Sequence, residues 1–174
     1  MLPVQLSWFY FLENFILALV IIGISARLAC RIVRVRGESM YPTFVDGDQL
    51  IILYWWPKRL LYKGQIVVSK PRQKVVMGQQ FYHIKRVVAT AGETVIVPLS
   101  EIPVSSPLHA SVQYHDKHGL RSWQIPPHHV FVRGDNRANS LDSVTFGPLP
   151  FEKIDGVVLM KLPWVFLLFP HWRG

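Results

Sequence analysis

Three short clusters in the sequence carry residue types that support nucleophilic catalysis. Ser39 follows a glycine and a glutamate, Lys85 lies in an apolar run, and Ser140 follows a Gly-Asp-Asn-Arg turn. A serine hydroxyl becomes a good nucleophile when a base takes its proton, and a neutral lysine amine can be that base. Each cluster alone is typical of a turn or of a solvent-facing strand residue. Together they allow acyl transfer by a serine nucleophile with a lysine base.

Lysine can act as a base only if the fold suppresses its protonation. At the ordinary lysine pKa of about 10.4, about one amine in a thousand is neutral near pH 7.4. Burial lowers the pKa because the ammonium loses its hydration. In a strand, one face would carry Phe81, His83, Lys85, Val87 and Ala89. Lys85 therefore has apolar neighbours on its own side, whereas the guanidinium of Arg86 cannot be deprotonated and cannot replace it.

The amino-terminal segment is long and apolar enough to cross a membrane as one helix. Residues 8–26 would span about 28 Å as a helix, against a hydrocarbon thickness of about 30 Å. Glu13 must sit near the interface, since the apolar stretch after Asn14 is too short to span by itself. No Lys or Arg precedes Trp8, although a cleaved secretory signal would need one. We therefore expect a retained anchor over residues 1–30.

Charges beside this anchor predict an orientation by themselves. Arginines follow the span at Arg27, Arg31, Arg34 and Arg36, and none precedes it. The positive-inside rule then places the rest of the chain in the cytoplasm. The same arginines are suited to contact lipid headgroups at the bilayer surface.

Residues 31–174 predict a mainly β domain. Short runs rich in Val, Ile, Tyr and Phe recur between Gly, Pro and Asp, and helix periodicity is scarce. The predicted strands cover residues 32–35, 49–54, 65–69, 81–89, 94–97, 111–114, 129–133 and 156–162. Their spacing favours a folded antiparallel sheet or a barrel. We interpret residues 98–127 as an inserted, less regular excursion and the apolar tail 162–174 as a membrane-interfacial patch.

Composition limits the cofactors and partners. The chain has 174 residues, one cysteine and a net charge of +8, so we expect one β domain held by packing rather than by disulfides. The charge favours an anionic partner, phospholipid or nucleic acid. Seven histidines occur without an HExxH pattern or a Gly-x-Ser-x-Gly elbow. We expect no metal and no cofactor; the alternative is a metal site or a Ser-His-Asp triad using His115, His118, His128 or His129.

In their order along the chain, the three clusters resemble the sequence boxes of type I signal peptidases. Residues 39–43 match a Ser-Met-x-Pro-Thr box, and residues 85–87 match a Lys-Arg-Val box. Residues 134–143 match a Gly-Asp-Asn-Arg-x-x-Ser-x-Asp-Ser box. The resemblance also covers the turn at residues 45–49 and the Phe-Gly-Pro at residues 146–148. It implies a membrane-anchored serine endopeptidase with a Ser/Lys pair.

The resemblance implies a role for each matched residue. Ser39 would attack the scissile carbonyl, and Lys85 would take its proton and later give one to the leaving amine. Ser140 would orient the Lys85 amine by a hydrogen bond, and Asp142 would support the last box. Structural support is also expected from Gly134, Asp135, Asn136 and Arg137. The oxyanion would be held by the Ser39 N–H, in the loop that begins at Gly37.

Besides the turn at residues 89–93, where Gly-x-Pro-Gly-Asp is commoner, two positions depart from the family pattern. Gly37 stands where some members have a hydroxyl that helps to hold the oxyanion, so the sequence does not identify a second donor. Val144 stands where an arginine usually follows Asp-Ser. We therefore expect Asp142 to pair with Arg137 or Arg133 instead. Neither departure removes a catalytic atom.

By the same resemblance, the substrates would be exported precursor proteins cut after a small residue of their signal peptide. The peptide would bind extended beside the Ser39 strand, in the manner of strand addition, with groove candidates Met40, Pro42, Tyr82 and Ile84. The family places its catalytic domain on the extracytoplasmic face, and we follow the family because a short amino terminus loosens the positive-inside rule. We expect a bacterial plasma membrane, with precursor proteins and the phospholipid bilayer as partners and no nucleic acid.

Two other functions fit parts of the sequence. A membrane-tethered basic β module could bind anionic lipid or nucleic acid without catalysis, as the net charge of +8 allows. Full biological function in a Ser39→Ala chain would favour that module. Self-cleaving repressors share a Ser/Lys pair, but they carry a DNA-binding helical domain where this chain has an anchor.

Overall fold

The chain folds as one long helix followed by a mainly antiparallel β domain, which confirms the predicted fold class. The structure is a computed structural model that describes residues 4–70, 82–102 and 119–163. The helices are α1 (Val4–Ala29) and α2 (Ser143–Phe146). The strands are β1 (Cys30–Arg34), β2 (Gln49–Leu53), β3 (Ile66–Ser69), β4 (His83–Ala89), β5 (Thr94–Pro98), β6 (Leu120–Gln124), β7 (His129–Arg133), β8 (Leu149–Pro150) and β9 (Ile154–Lys161).

Helix α1 extends beyond the predicted span at both ends. Its 26 residues correspond to about 39 Å of helix, and the stretch Trp8–Ser25 is long and apolar enough to cross a membrane. Inside this stretch, Asn14 Nδ2 donates to the Tyr10 carbonyl at 2.6 Å. The helix therefore satisfies one N–H of the asparagine side chain internally, which lowers the cost of placing it near lipid.

Seven strands form one antiparallel sheet in the order β1-β2-β9-β3-β4-β7-β8. Within the described residues, β1 pairs with β2 alone and β8 with β7 alone, so the sheet is open at both edges. Strand β4 pairs with β3 along residues 83–86, but with β7 only from Arg86 onward. The β7-facing side of residues 83–85 is thus left without a strand partner.

Alternating side chains build an apolar core on each face of this sheet. Val67 and Val87 belong to one buried cluster, and Val68 and Ile84 belong to another. Successive strand residues point to opposite faces, so the two clusters lie on opposite sides of the sheet. Lys85 is paired in register with Val67 and therefore shares the face of the first cluster. Lys85 therefore has the apolar neighbours that the strand alternation predicts.

A two-stranded sheet of β5 and β6 lies beside the main sheet. Trp123 of β6 packs on Phe131 of β7, with ring centroids 5.4 Å apart. Strand β6 was not predicted and falls within the excursion expected at residues 98–127. Its sequence, Leu-Arg-Ser-Trp-Gln, has two apolar residues three positions apart and therefore no strand periodicity. The strand predicted at residues 111–114 and the tail from residue 164 lie outside the described residues.

Candidate active site

Ser39 lies in a tight turn that follows β1. Gly37 has a φ of 81°, a left-handed conformation that favours glycine. Its N–H donates to Asp46 Oδ1 at 2.7 Å, which ties the turn to the opposite side of the loop. The next residue after the serine, Met40, is 1% exposed and packs in the core. The turn is therefore fixed on both sides of Ser39.

The structure brings Ser39 and Lys85 together. Lys85 Nζ lies 2.7 Å from Ser39 Oγ, although the two residues are 46 positions apart in the chain. The contact joins the turn after β1 to the start of β4. A hydroxyl and an amine at this distance can exchange a proton directly.

The surroundings of Lys85 favour its neutral amine. The side chain is 3% exposed. Loss of hydration lowers the pKa of Lys85 below its ordinary value, while the carboxylates of Asp142 and Asp135 act in the opposite direction. Burial is the largest of these effects. His83, two residues earlier on the strand, also has a lowered pKa, because of burial and the nearby lysine charge.

Asp142 organises the loop that follows β7. It is 3% exposed, and its Oδ2 accepts from the Gly134 N–H at 2.9 Å and from Ser140 Oγ at 2.7 Å. Its Oδ1 accepts from the Val144 N–H at 3.1 Å, which caps the start of α2. The buried carboxylate is therefore satisfied by three neutral donors.

This arrangement corrects the expected pairing of Asp142 with an arginine. Arg133 forms an ion pair with Glu101 at 2.6 Å. Arg137 is exposed, and within the described residues it takes part in no ion pair. The expectation was wrong because backbone N–H groups and a hydroxyl already fill the carboxylate's acceptor sites.

The loop after β7 also holds the backbone of Ser39 in place. The Asn136 N–H donates to the Ser39 carbonyl at 3.0 Å. A Cβ atom at Gly134 would collide with that carbonyl oxygen and with the Ser140 hydroxyl. Glycine is therefore needed at position 134 because the two backbone segments pass so close to each other.

Ser140 lies beside the pair, but its hydrogen bond differs from the one expected. Its hydroxyl donates to Asp142 at 2.7 Å, whereas the hydrogen bond of the Lys85 amine is with Ser39. The structure thus links Ser140 to the carboxylate whose charge acts on Lys85. The predicted orientation of the amine by Ser140 stays a prediction.

A second polar cluster joins three segments of the site. Arg86 Nε and Nη2 donate to Asp135 Oδ1 and Oδ2 at 2.8 and 2.7 Å. Thr43 Oγ1 also donates to Asp135 Oδ2, at 2.6 Å, and Arg86 Nη1 reaches the Gly64 carbonyl at 2.9 Å. The ion pair lowers the pKa of Asp135 and raises that of Arg86. Sequence reasoning missed Thr43 and Arg86 as supports, although both stand within matched boxes.

One backbone N–H at the nucleophile loop is available as a hydrogen-bond donor. Within the described residues, the Ser39 N–H makes no hydrogen bond. The Gly37 N–H, by contrast, is occupied by Asp46. A free N–H on the nucleophile residue is the donor that acyl transfer uses when charge develops on the carbonyl oxygen.

A cleft of about 490 Å³ opens onto the Ser/Lys pair. Its walls are β1 with the residues after it, the Ser39 turn and the start of β4, and they include Met40, Tyr82 and Ile84. Pro42 was also predicted to line the groove, but it lies exposed on the turn and outside the cleft, because the chain turns away after Met40. The predicted groove residues included none from β1, although β1 residues line the cleft.

The histidines are arranged differently from a catalytic triad. His83 lines the cleft, but Ser39 Oγ is hydrogen-bonded to Lys85 instead. His128 packs edge-on against Phe151, and His129 Nδ1 lies 2.8 Å from the Pro127 carbonyl. In residues 4–70, 82–102 and 119–163, no three His, Cys, Asp or Glu side chains are grouped to hold a metal ion. His115 and His118 lie outside these residues.

Comparison with known proteins identifies the family. The family model described as Signal peptidase, peptidase S26 matches residues 8–164. Probable signal peptidase I-1 of Synechocystis sp. is 30% identical over 91% of this chain and 86% of its own. Signal peptidase I V of Bacillus subtilis is 29% identical, over 72% and 81%. Mitochondrial inner membrane protease subunit 1 of Schizosaccharomyces pombe is 31% identical, over 79% and 74%. Since the family match spans both the helix and the β domain, the chain belongs to the signal peptidase family, peptidase S26.

Proposed function

We propose that this chain removes signal peptides from exported precursor proteins, with Ser39 as nucleophile and Lys85 as general base. The observation that carries the proposal is the 2.7 Å between Lys85 Nζ and Ser39 Oγ, with the lysine almost completely buried. Membership of the signal peptidase family supports a serine endopeptidase over a basic binding module.

The proposed reaction begins with a neutral Lys85. The Ser39 O–H donates to the amine, and its oxygen attacks the scissile carbonyl carbon as the proton moves to Lys85. The tetrahedral intermediate then collapses, the C–N bond breaks, and the Lys85 ammonium gives its proton to the leaving amine. Water next attacks the acyl-enzyme, with Lys85 again taking the proton, and the serine hydroxyl is restored.

Charge on the carbonyl oxygen is held by the Ser39 N–H in this proposal. That group is free within the described residues, and the Asn136 bond to the Ser39 carbonyl keeps the peptide unit in place. Gly37 has no side-chain hydroxyl that could donate a second hydrogen bond to this oxygen. We therefore infer that the Ser39 N–H supplies the electrostatic stabilisation at this site.

The substrate peptide is proposed to lie extended in the cleft between β1 and the start of β4. Both walls have backbone that no other strand covers: β1 is an edge strand, and residues 83–85 lack a partner on the β7 side. An added strand can use those backbone groups and aim alternate side chains into the cleft. Met40 and Ile84 are buried at its base, which suits the small residues that the family resemblance implies.

The membrane placement is partly established. Membrane association follows from α1 and from the family. We further propose that the catalytic domain lies on the extracytoplasmic face of a bacterial plasma membrane, where the cleavage sites of exported precursors emerge. The direct passage from α1 into β1 keeps the cleft close to that surface.

The proposal is tested by precursor cleavage with the purified full chain in detergent. Ser39→Ala and Lys85→Ala should each abolish cleavage, with unchanged circular dichroism showing that the fold is intact. Mass spectrometry of the product should place the cut after a small residue of the signal peptide. Normal cleavage by Ser39→Ala would overturn the assignment of the nucleophile.

A further inference from the structure

The wall of the cleft formed by β1 and the residues after it has two different sides. Val33 and Val35 pack in the apolar cluster that also contains Met40. Arg34 and Arg36 alternate with these valines, are exposed, and also line the cleft. Successive residues of an extended chain point to opposite sides. One side of this wall is therefore apolar, and the other side is basic.

These two arginines are the permanent charges of the cleft, because guanidinium keeps its proton. Among the described residues, none that lines the cleft is acidic, and neither arginine takes part in an ion pair. His83 and Lys85 also line the cleft, but burial lowers the pKa of each. Glu38 and Asp46 are exposed in the adjoining turn and lie outside the cleft lining. The cleft therefore presents a net positive charge to a bound peptide.

A peptide bound as an added strand would present its side chains alternately to these two sides. In the proposed reaction, the small residue before the cut lies over the apolar base formed by Met40 and Ile84. The residue that precedes it then points to the basic side, and cross-strand neighbours on one side of a sheet lie about 5 Å apart. On this wall, the basic side carries Arg34 and, closer to Ser39 in the chain, Arg36. The preceding residue is therefore the one whose charge the arginines can sense.

We propose that Arg34 and Arg36 select substrates by charge at the residue immediately before the small residue at the cut. An acidic side chain there is favoured and a basic one is disfavoured, because the arginines attract a carboxylate and repel an ammonium. This inference rests on the proposed function and adds a specificity determinant to it. Both arginines are exposed, so each contributes modestly. We expect peptides with Asp and with Lys at this position to differ by about three- to tenfold in kcat/KM.

Three signal-peptide substrates that differ only in carrying Asp, Asn or Lys at this position test the proposal. The purified full chain in a nonionic detergent, which supplies no anionic headgroups, should cleave them with kcat/KM decreasing from Asp to Asn to Lys. The ratio of the Asp to the Lys value should fall toward one in the double variant Arg34→Gln and Arg36→Gln. The double variant Arg34→Lys and Arg36→Lys, which keeps both charges, should retain the ratio. The ratio should also shrink in about 1 M salt, where the Debye length is about 3 Å.

Arg59→Gln is the matched control, because it removes an exposed arginine that lies outside the cleft lining. The ratio of the Asp to the Lys value should be the same in this variant as in the wild type. Ser39-dependent cleavage of all three peptides at one rate, or an equal loss of the ratio in Arg59→Gln, would overturn this inference and leave the proposed function standing. Absence of Ser39-dependent cleavage of every peptide would overturn the proposed function, and this inference with it.

Discussion

Lys85 and Arg86 are adjacent basic residues on one strand, and the fold places them in opposite environments. The Lys85 amine is buried against apolar side chains, contacts a neutral hydroxyl and has a lowered pKa. The Arg86 guanidinium points to the other face, makes a two-point ion pair with Asp135 and has a raised pKa. The side chain of Arg86 is 31% exposed, whereas Lys85 is 3% exposed. The face of the strand therefore decides which cation loses its hydration and which is paired with a carboxylate.

The two faces of β4 also have different roles in the site. On the Lys85 face, the loops around the reactive pair are held by hydrogen bonds from backbone N–H groups, two of which are accepted by the Asp142 carboxylate. The Arg86 face ties β4 to the Ser39 loop and to the loop after β7 through charged groups. A lysine buried without an ion pair is costly. That cost is consistent with a functional role for the lysine, since perturbed ionisable groups gather at active sites.

Replacing Lys85 with arginine should reduce precursor cleavage more than changes at Asp142, Arg86 or Asp135. Lys85→Arg keeps a positive charge but cannot be deprotonated, so we expect precursor cleavage to fall by about 10⁴-fold or more, the scale seen when a general base is removed. The measurement is kcat/KM with a signal-peptide substrate. Cleavage by Lys85→Arg near the wild-type rate would mean that another group is the base.

Removing the Asp142 charge should disturb the Lys85 face next most strongly. In Asp142→Asn, the amide NH₂ must face a donor, and we expect the free energy of unfolding to fall by about 2–3 kcal/mol. The same change removes a negative charge that raises the Lys85 pKa. The increase in cleavage rate that accompanies deprotonation of Lys85 should therefore occur at lower pH. Urea unfolding and a pH–rate profile measure the two effects. Asp46→Asn, an exposed acceptor of one N–H, is the control for unfolding, and an equal loss there would contradict the special position of Asp142.

Weakening the Arg86 face should cost stability more than catalysis. Arg86→Lys retains the charge but loses the two-point contact with Asp135, and we expect a loss of about 1 kcal/mol because the pair is partly exposed. Cleavage should fall far less than in Lys85→Arg. If Arg86→Lys were as inactive as Lys85→Arg, the division of roles between the two faces would be wrong.

Acid should weaken the ion pair between Arg86 and Asp135. The pKa of Asp135 is lowered from its ordinary 3.8, chiefly by its hydrogen bonds with Arg86. Its contribution to stability is therefore fully present above pH 3.8 and declines as the pH falls through the lower folded-state pKa. The difference in unfolding free energy between wild type and Asp135→Asn should shrink across that acidic range. A difference that stays constant would show that the ion pair does not titrate as proposed.

Sequence reasoning succeeded where function depends on local pattern. Strand alternation placed Lys85 with apolar neighbours, and the ordered boxes identified the serine that the fold brings to it. Both inferences use short-range order: the residue type and its place within a strand or turn. The distance between Ser39 and Lys85 depends on how β1 and β4 fold together, which the pattern alone cannot give.

The missed features depend on tertiary geometry. The three donors to Asp142 are two backbone N–H groups and one hydroxyl, so their convergence follows from loop conformation rather than residue identity. Thr43 lies 92 positions from Asp135, and no periodicity links them. Strand β6 was missed because its pairing with β5 and the packing of Trp123 on Phe131 compensate for weak strand periodicity.

The most direct test of the account is an NMR titration of the Lys85 side chain in the folded protein. The Lys85 signal would be assigned by its disappearance in Lys85→Met. We expect a midpoint clearly below the ordinary lysine value of 10.5, because burial outweighs the nearby carboxylates. A midpoint at or above 10.5 would contradict the account, since the amine could not then serve as the base for Ser39.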